Sequence, residues 1–171
     1  SIQINKVSVS KSIINGCSGD MFAYKESTVA QIPVTEITNS TLIKPQGRIF
    51  YAGNAASFSI DYCTMYGWGG SKALLELGDK NTTGMSLAIK NTILANGGSS
   101  RKAHNANAAA NLSLTIEKVY GTNDMTFHST LGDVTKYDKS SAEVFENPEE
   151  GNFKIIDALF PSGIGDPRWT E

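Results

Sequence analysis

The side chains able to do chemistry are few and scattered along the chain. Cys17 and Cys63 are the two cysteines, and neither stands in a C-x-x-C pair or beside a histidine, so a metal site or a thiol nucleophile is not expected. Their spacing suits a disulfide. A bridge closing a loop of that length is worth about 4 kcal/mol in the chain-entropy account, and it would staple the first strand to the strand that ends at Cys63. The alternative is a pair of buried free thiols in a protein made in a reducing compartment.

His104 and His128 are the two histidines. His104, between Lys102 and Asn105, is expected in solvent, and His128 follows Phe127 on a short strand. Metal sites announce themselves by clustered ligands, and neither histidine belongs to a cluster. Asp133, Asp138 and Glu143 are acidic, but GDVTKYDKS lacks the EF-hand order and reads as solvated loop carboxylates. A carboxylate pair for glycoside chemistry would be a spatial feature, and nothing in the sequence favours one. The glycines of YGWGGS (66–71) are not followed by GK[ST], and no dinucleotide fingerprint appears elsewhere. The expectation is no catalytic residue, no metal and no cofactor. Tyr62, Tyr66 and Trp68 crowd the glycine-rich turn after Cys63. They form either a contact loop for sugar, lipid or protein, or an aromatic corner packed over the end of the core; the second is preferred.

Composition bounds the partners. The 171 residues fit one domain able to bury a core without metals or disulfides. With 15 Lys plus Arg against 17 Asp plus Glu and a net charge of -2, there is no basic field to hold nucleic acid or an anionic membrane surface. Charged residues make up 19% and there are 16 glycines, a balance typical of β-rich extracellular, cell-surface or virion proteins. No apolar run approaches the roughly 18–20 residues of a membrane span. Ser1 suits either a signal-peptide cut or a removed initiator Met. Three N-x-S/T sequons, at Asn39, Asn81 and Asn111, are about as many as chance supplies in a chain so rich in Asn, Ser and Thr.

The elements that must position these groups are short strands between turn signals. Residues 1–10 alternate, 21–25 and 31–37 follow, and 41–43 leads into the KPQG turn. SFSIDYC (57–63) is the best two-residue period in the chain. Residues 72–77 read as either a short helical stretch or a strand, and the preferred reading pairs them with 85–89 in a hairpin; 95–110 is expected to be a long polar loop or arm, and 111–120 another alternating strand. A helical turn is expected over 139–145, a helix or strand over 153–160, and an irregular tail over 161–171. No internal repeat stands out. The predicted architecture is all-β: an antiparallel β-sandwich or barrel of about eight to nine short strands with at most one or two short helices, as one domain over 1–171.

The layout of an alternating N-terminal strand, Cys17 in the following turn and Cys63 closing a later strand resembles that of chaperone-usher pilin subunits. That resemblance covers residues 1–63 and implies a fold completed by a neighbour's strand; DPRWTE at the C-terminus departs from it. SIINGCSGDMFAY is similar to the opening of thaumatin-like secreted proteins, without their many cysteines.

The expected function is a non-catalytic structural subunit of an ordered assembly such as a pilus, fibre, phage tail or capsid layer. It would pack through Ile2, Ile4, Val7 and Val9 of the first strand and through the tail at Trp169, with a homo-oligomer or neighbouring structural subunits as partners. The alternative is a secreted or displayed binding module that reads a glycan, lipid or receptor through Tyr62, Tyr66 and Trp68. A hydrolase on a β-scaffold is the third class, which screening for activity would test.

Overall fold

The computed structural model describes residues 4–24, 33–78, 84–97, 101–108 and 111–170. The chain winds as a parallel β-solenoid. Its first rung holds β1 (Lys6–Ser10), β2 (Ile13–Asn15) and β3 (Phe22–Tyr24), and its second β4 (Val34–Thr38), β5 (Thr41–Ile43) and β6 (Phe50–Ala52). The third holds β7 (Ser57–Asp61), β8 (Thr64–Tyr66) and β9 (Leu75–Leu77). In the fourth, β10 (Met85–Lys90) and β11 (Ile93–Ala95) are followed by single bridges from Arg101 to Phe127 and from His104 to Leu75. The fifth has β12 (Leu112–Glu117) and β13 (Tyr120–Gly121), and β14 (Thr135–Lys136) adds one more strand beyond β13.

Equivalent strands stack into three sheets. The first is ordered β1-β4-β7-β10-β12, the second β2-β5-β8-β11-β13-β14 and the third β3-β6-β9, with every pair parallel. The five strands of the first sheet are separated by about four turns of the coil. This overturns the antiparallel sandwich or barrel. Alternating short strands fit both architectures, and parallel neighbours ordinarily need a long crossover. Here the crossover is the other two sides of the rung. The expected hairpin is also corrected: β9 pairs with β6, while β10 pairs with β7 and β12.

The register places like residues above like. Val9, Ile37, Ile60, Ile89 and Ile116 form one inward column of the first sheet, and Ile14, Leu42, Met65 and Leu94 one of the second. Ile37, Ile60 and Ile89 are completely buried, each burial favouring the fold by about 1.5–3 kcal/mol. Aromatic rings stack inside: Phe50 lies 4.6 Å from Phe58 and 5.8 Å from Phe22, and Tyr24 6.4 Å from Phe58.

The corner between the first two sheets explains the odd residues there. Lys11, Asn39, Tyr62, Asn91 and Lys118 occupy it in successive rungs, all left-handed with φ between 44° and 51°. Asn tolerates this readily, whereas a Lys or Tyr loses about 1–2 kcal/mol. The next residue seals the bend. Ser12, Ser40 and Thr92 each donate a hydroxyl to the carbonyl two residues back, at 2.9, 2.7 and 2.6 Å. Cys63 occupies the same column, and its Sγ donates to the Asp61 and Ile37 carbonyls at 3.3 and 3.5 Å.

The C-terminal segment folds back across the outer face of the second sheet. It consists of α1 (Ser141–Val144), the antiparallel pair β15 (Phe145–Asn147) and β16 (Asn152–Ile155), and a 3-10 turn over Pro167–Trp169. Val144, Phe145, Phe153, Phe160 and Ile164 bury against Ile43, Tyr66, Ile93 and Ala95 as a second core. Gly165 makes the close approach: its N–H donates to the Asn91 carbonyl at 2.8 Å, and a Cβ there would lie 2.7 Å from Ile93 Cδ1.

Candidate functional site

The first rung is the end of the solenoid beyond which no further strand lies among the described residues. Val7, Val9, Ile14, Phe22 and Tyr24 point inward yet are only half-buried, while their counterparts in the next rungs are buried. Ile4 is 59% exposed and Ile13 49% exposed. Ile2 lies outside the described residues. The Asn5 carbonyl accepts from Val34 N–H at 3.1 Å, and Lys11 N–H donates to the Thr38 carbonyl at 3.2 Å. Because strand polarity alternates residue by residue, the odd-numbered backbone groups of β1 face β4 and those of Lys6, Ser8 and Ser10 face away. Among the described residues no strand pairs with that outer edge of β1, nor with the outer edges of β2 and β3.

The opposite end is better covered. Met125, Leu131 and Val134 bury in the main core as a lid over the fifth rung, and β14 continues past β13. Among the described residues no strand pairs with the outer edge of β12, whose Leu112, Leu114 and Ile116 are half-buried.

The structure separates the aromatic trio. Tyr62 is 39% exposed at its corner, whereas Tyr66 and Trp68 are each 1% exposed. Tyr66 is a locking group between solenoid and C-terminal segment: its hydroxyl donates to Glu149 Oε1 at 2.5 Å and accepts from Asn96 Nδ2 at 2.7 Å. Burial, followed by the Glu149 carboxylate, pushes its phenol up to about 12. The same bond holds Glu149 below the usual carboxylate range. Trp68 belongs to the main core, and its buried indole N–H has no partner among the described residues.

Cys17 and Cys63 carry free thiols, Cys63 buried and Cys17 half-buried. Burial pushes the Cys63 thiol up to about 12. His128 caps the 3-10 turn Ser129–Leu131, its Nδ1 accepting from Thr130 N–H at 3.2 Å. His104 Nδ1 lies 2.9 Å from the Asn105 carbonyl. Glu143 forms a capping box with Ser140, whose hydroxyl and N–H bonds lower its pKa. Ala95, Ala103 and Ala108, within the stretch read as a polar arm, are completely buried in the fourth rung. Among the described residues no three His, Cys, Asp or Glu side chains group as metal ligands, and no helix is long and apolar enough to cross a membrane.

Three carboxylates that the sequence did not single out hold the C-terminal segment. Burial pushes Asp124 up, but hydrogen bonds from Ser141 and Thr122 outweigh it and leave its pKa lowered. Asp157 accepts from Lys139 at 2.8 Å and from Tyr137 at 2.6 Å, and these bonds hold it down at about 2. Asp166, 1% exposed, accepts from the Thr41 hydroxyl at 2.8 Å, and Trp169 Nε1 donates to that same hydroxyl at 2.7 Å. Beside Asp166 a cleft of about 340 Å³ opens, lined by Lys11, Asn39, Asp166, Pro167 and Arg168.

Residues 58–169 match the family described as a domain of unknown function (DUF5123). No curated protein and no solved structure matches the chain.

Proposed function

We propose that this chain, which belongs to that family, is a non-catalytic structural subunit that self-assembles through its first rung. The observation that carries the reading is the edge of β1, which pairs with no strand among the described residues and has Val7 and Val9 half-buried beneath it. An unpaired strand edge over apolar side chains is a template for another strand. The occupant is a second copy, packed first rung to first rung about a twofold axis. A closed contact of this kind hides two open ends at once; at the other end Met125, Leu131 and Val134 cover part of the core, whereas the first rung has no further strand on any of its three sheets among the described residues, which makes it the more open partner.

Twofold symmetry makes β1 antiparallel to its mate. Centred on Ser8, that register sets Lys6 opposite the mate's Ser10, and Val7 opposite the mate's Val9. No like charges then face each other, and the outward-facing groups of residues 6, 8 and 10 form the hydrogen-bonded pairs.

Ser8→Pro tests this. It removes an N–H that points away from β4, at an exposed position where proline is tolerated on an edge strand. Light scattering over a concentration series should give twice the 18.3 kDa chain mass for the wild type and the monomer mass for Ser8→Pro, with unchanged circular dichroism. A wild type that stays monomeric at all concentrations, or a Ser8→Pro variant that still pairs, would contradict it.

A further inference from the structure

We propose that the cleft between the first corner of the solenoid and the C-terminal turn binds a small oxyanion, a carboxylate or phosphate group carried by an organic ligand. Three stretches of chain far apart in sequence build it. Lys11 and Asn39 come from the left-handed corners of the first two rungs, and Asp166, Pro167 and Arg168 from the segment folded back across the second sheet.

The cations are the groups left to serve a ligand. Lys11 is exposed and has no carboxylate within ion-pair distance among the described residues. Arg168 is held rather than free: its guanidinium carbon lies 5.9 Å from the Trp169 ring and Nη1 3.9 Å from Asp166 Oδ2. That guanidinium keeps donors for a second acceptor, since a planar fork has five. The one carboxylate in the lining is already occupied. Asp166 Oδ2 accepts from Thr41 and Oδ1 from the Arg168 N–H at 3.1 Å, so its oxygens are committed to the fold. Two cations against one buried carboxylate leave the lining with a net charge of +1. Asn39 adds an amide able to donate or accept, and Pro167 an apolar wall. A volume near 340 Å³ is at the small end of ligand pockets, which fits a single acidic ring or a short acid.

The site does not depend on assembly at the β1 edge, so the two proposals stand or fall separately. The test is a titration of isotope-labelled full chain with sodium acetate and with sodium phosphate, followed by amide and arginine side-chain NMR signals, with sodium chloride at matched ionic strength as control. Saturable shifts confined to Lys11, Asn39 and Pro167's neighbours are expected. Tighter saturation by acetate assigns a carboxylate, and tighter saturation by phosphate a phosphate group. Lys11→Gln and Arg168→Gln should each weaken binding about tenfold while keeping the dispersed spectrum of the folded chain. Shifts that chloride reproduces, that never saturate, or that survive both substitutions would overturn the proposal.

Discussion

Phe153→Ala probes the cover that the C-terminal segment lays over the second sheet. Phe153 is completely buried, with ring centroids of Tyr66 at 5.2 Å, Phe145 at 5.5 Å and Trp169 at 5.9 Å. Truncating a buried Phe to Ala costs about 3–5 kcal/mol, of which each lost ring pair contributes about 0.5–1.5 kcal/mol. The two tryptophans divide the readout: Trp169 sits in the C-terminal segment, and Trp68 in the solenoid core. Urea unfolding followed by fluorescence in Trp68→Phe and Trp169→Phe backgrounds then reports each part separately. The Trp169 signal should unfold at clearly lower urea in Phe153→Ala, by the equivalent of about 3–5 kcal/mol, while the Trp68 signal moves less if the segment opens locally. A loss below about 1 kcal/mol at Trp169 would refute the argument that Phe153 pins the segment down.

Two further predictions concern titratable side chains. Asp157 is held at about 2 by Lys139 and then Tyr137, below the roughly 3.9 of an unfolded aspartate. Its contribution is therefore present above about pH 4 and lost as pH falls towards 2; Asp157→Asn should flatten the acid dependence of the urea midpoint there, and an unaltered slope would count against it. A thiol reagent at pH 8 should modify Cys17 in the native chain and Cys63 only on unfolding, since Cys63 is buried and pushed up to about 12; finding no free thiol even in denaturant would restore the disulfide.

Much of the strand pattern is written in the sequence, because alternation is local. Residues 57–61 show it plainly, with Phe58 and Ile60 inside and Ser57, Ser59 and Asp61 outside. Pairing is not local, and a period-two signal carries no strand direction. The repeat hides because its rungs differ in length: the corner residues Lys11, Asn39, Tyr62, Asn91 and Lys118 are spaced by 28, 23, 29 and 27. It also hides because the corner column mixes Lys, Asn and Tyr, and the next column mixes Ser, Cys, Thr and Val. Knowing that these columns are stacked makes Cys63 intelligible as a stand-in for a hydroxyl. Val7 and Val9 are visible as an apolar strand face, whereas Ile4 precedes β1 and is exposed. The oxyanion cleft was not visible, because Lys11 and Arg168 meet only after the chain has wound through every rung and folded back.

The most direct test of assembly through the first rung is residue-resolved amide hydrogen exchange on β1 at high and low protein concentration. Val7 and Val9, bonded towards β4, should be protected at both. Lys6, Ser8 and Ser10 should be protected only at high concentration, their exchange accelerating on dilution as the second copy leaves. Rapid exchange of these three at every concentration would contradict the account, and so would protection that dilution never relieves.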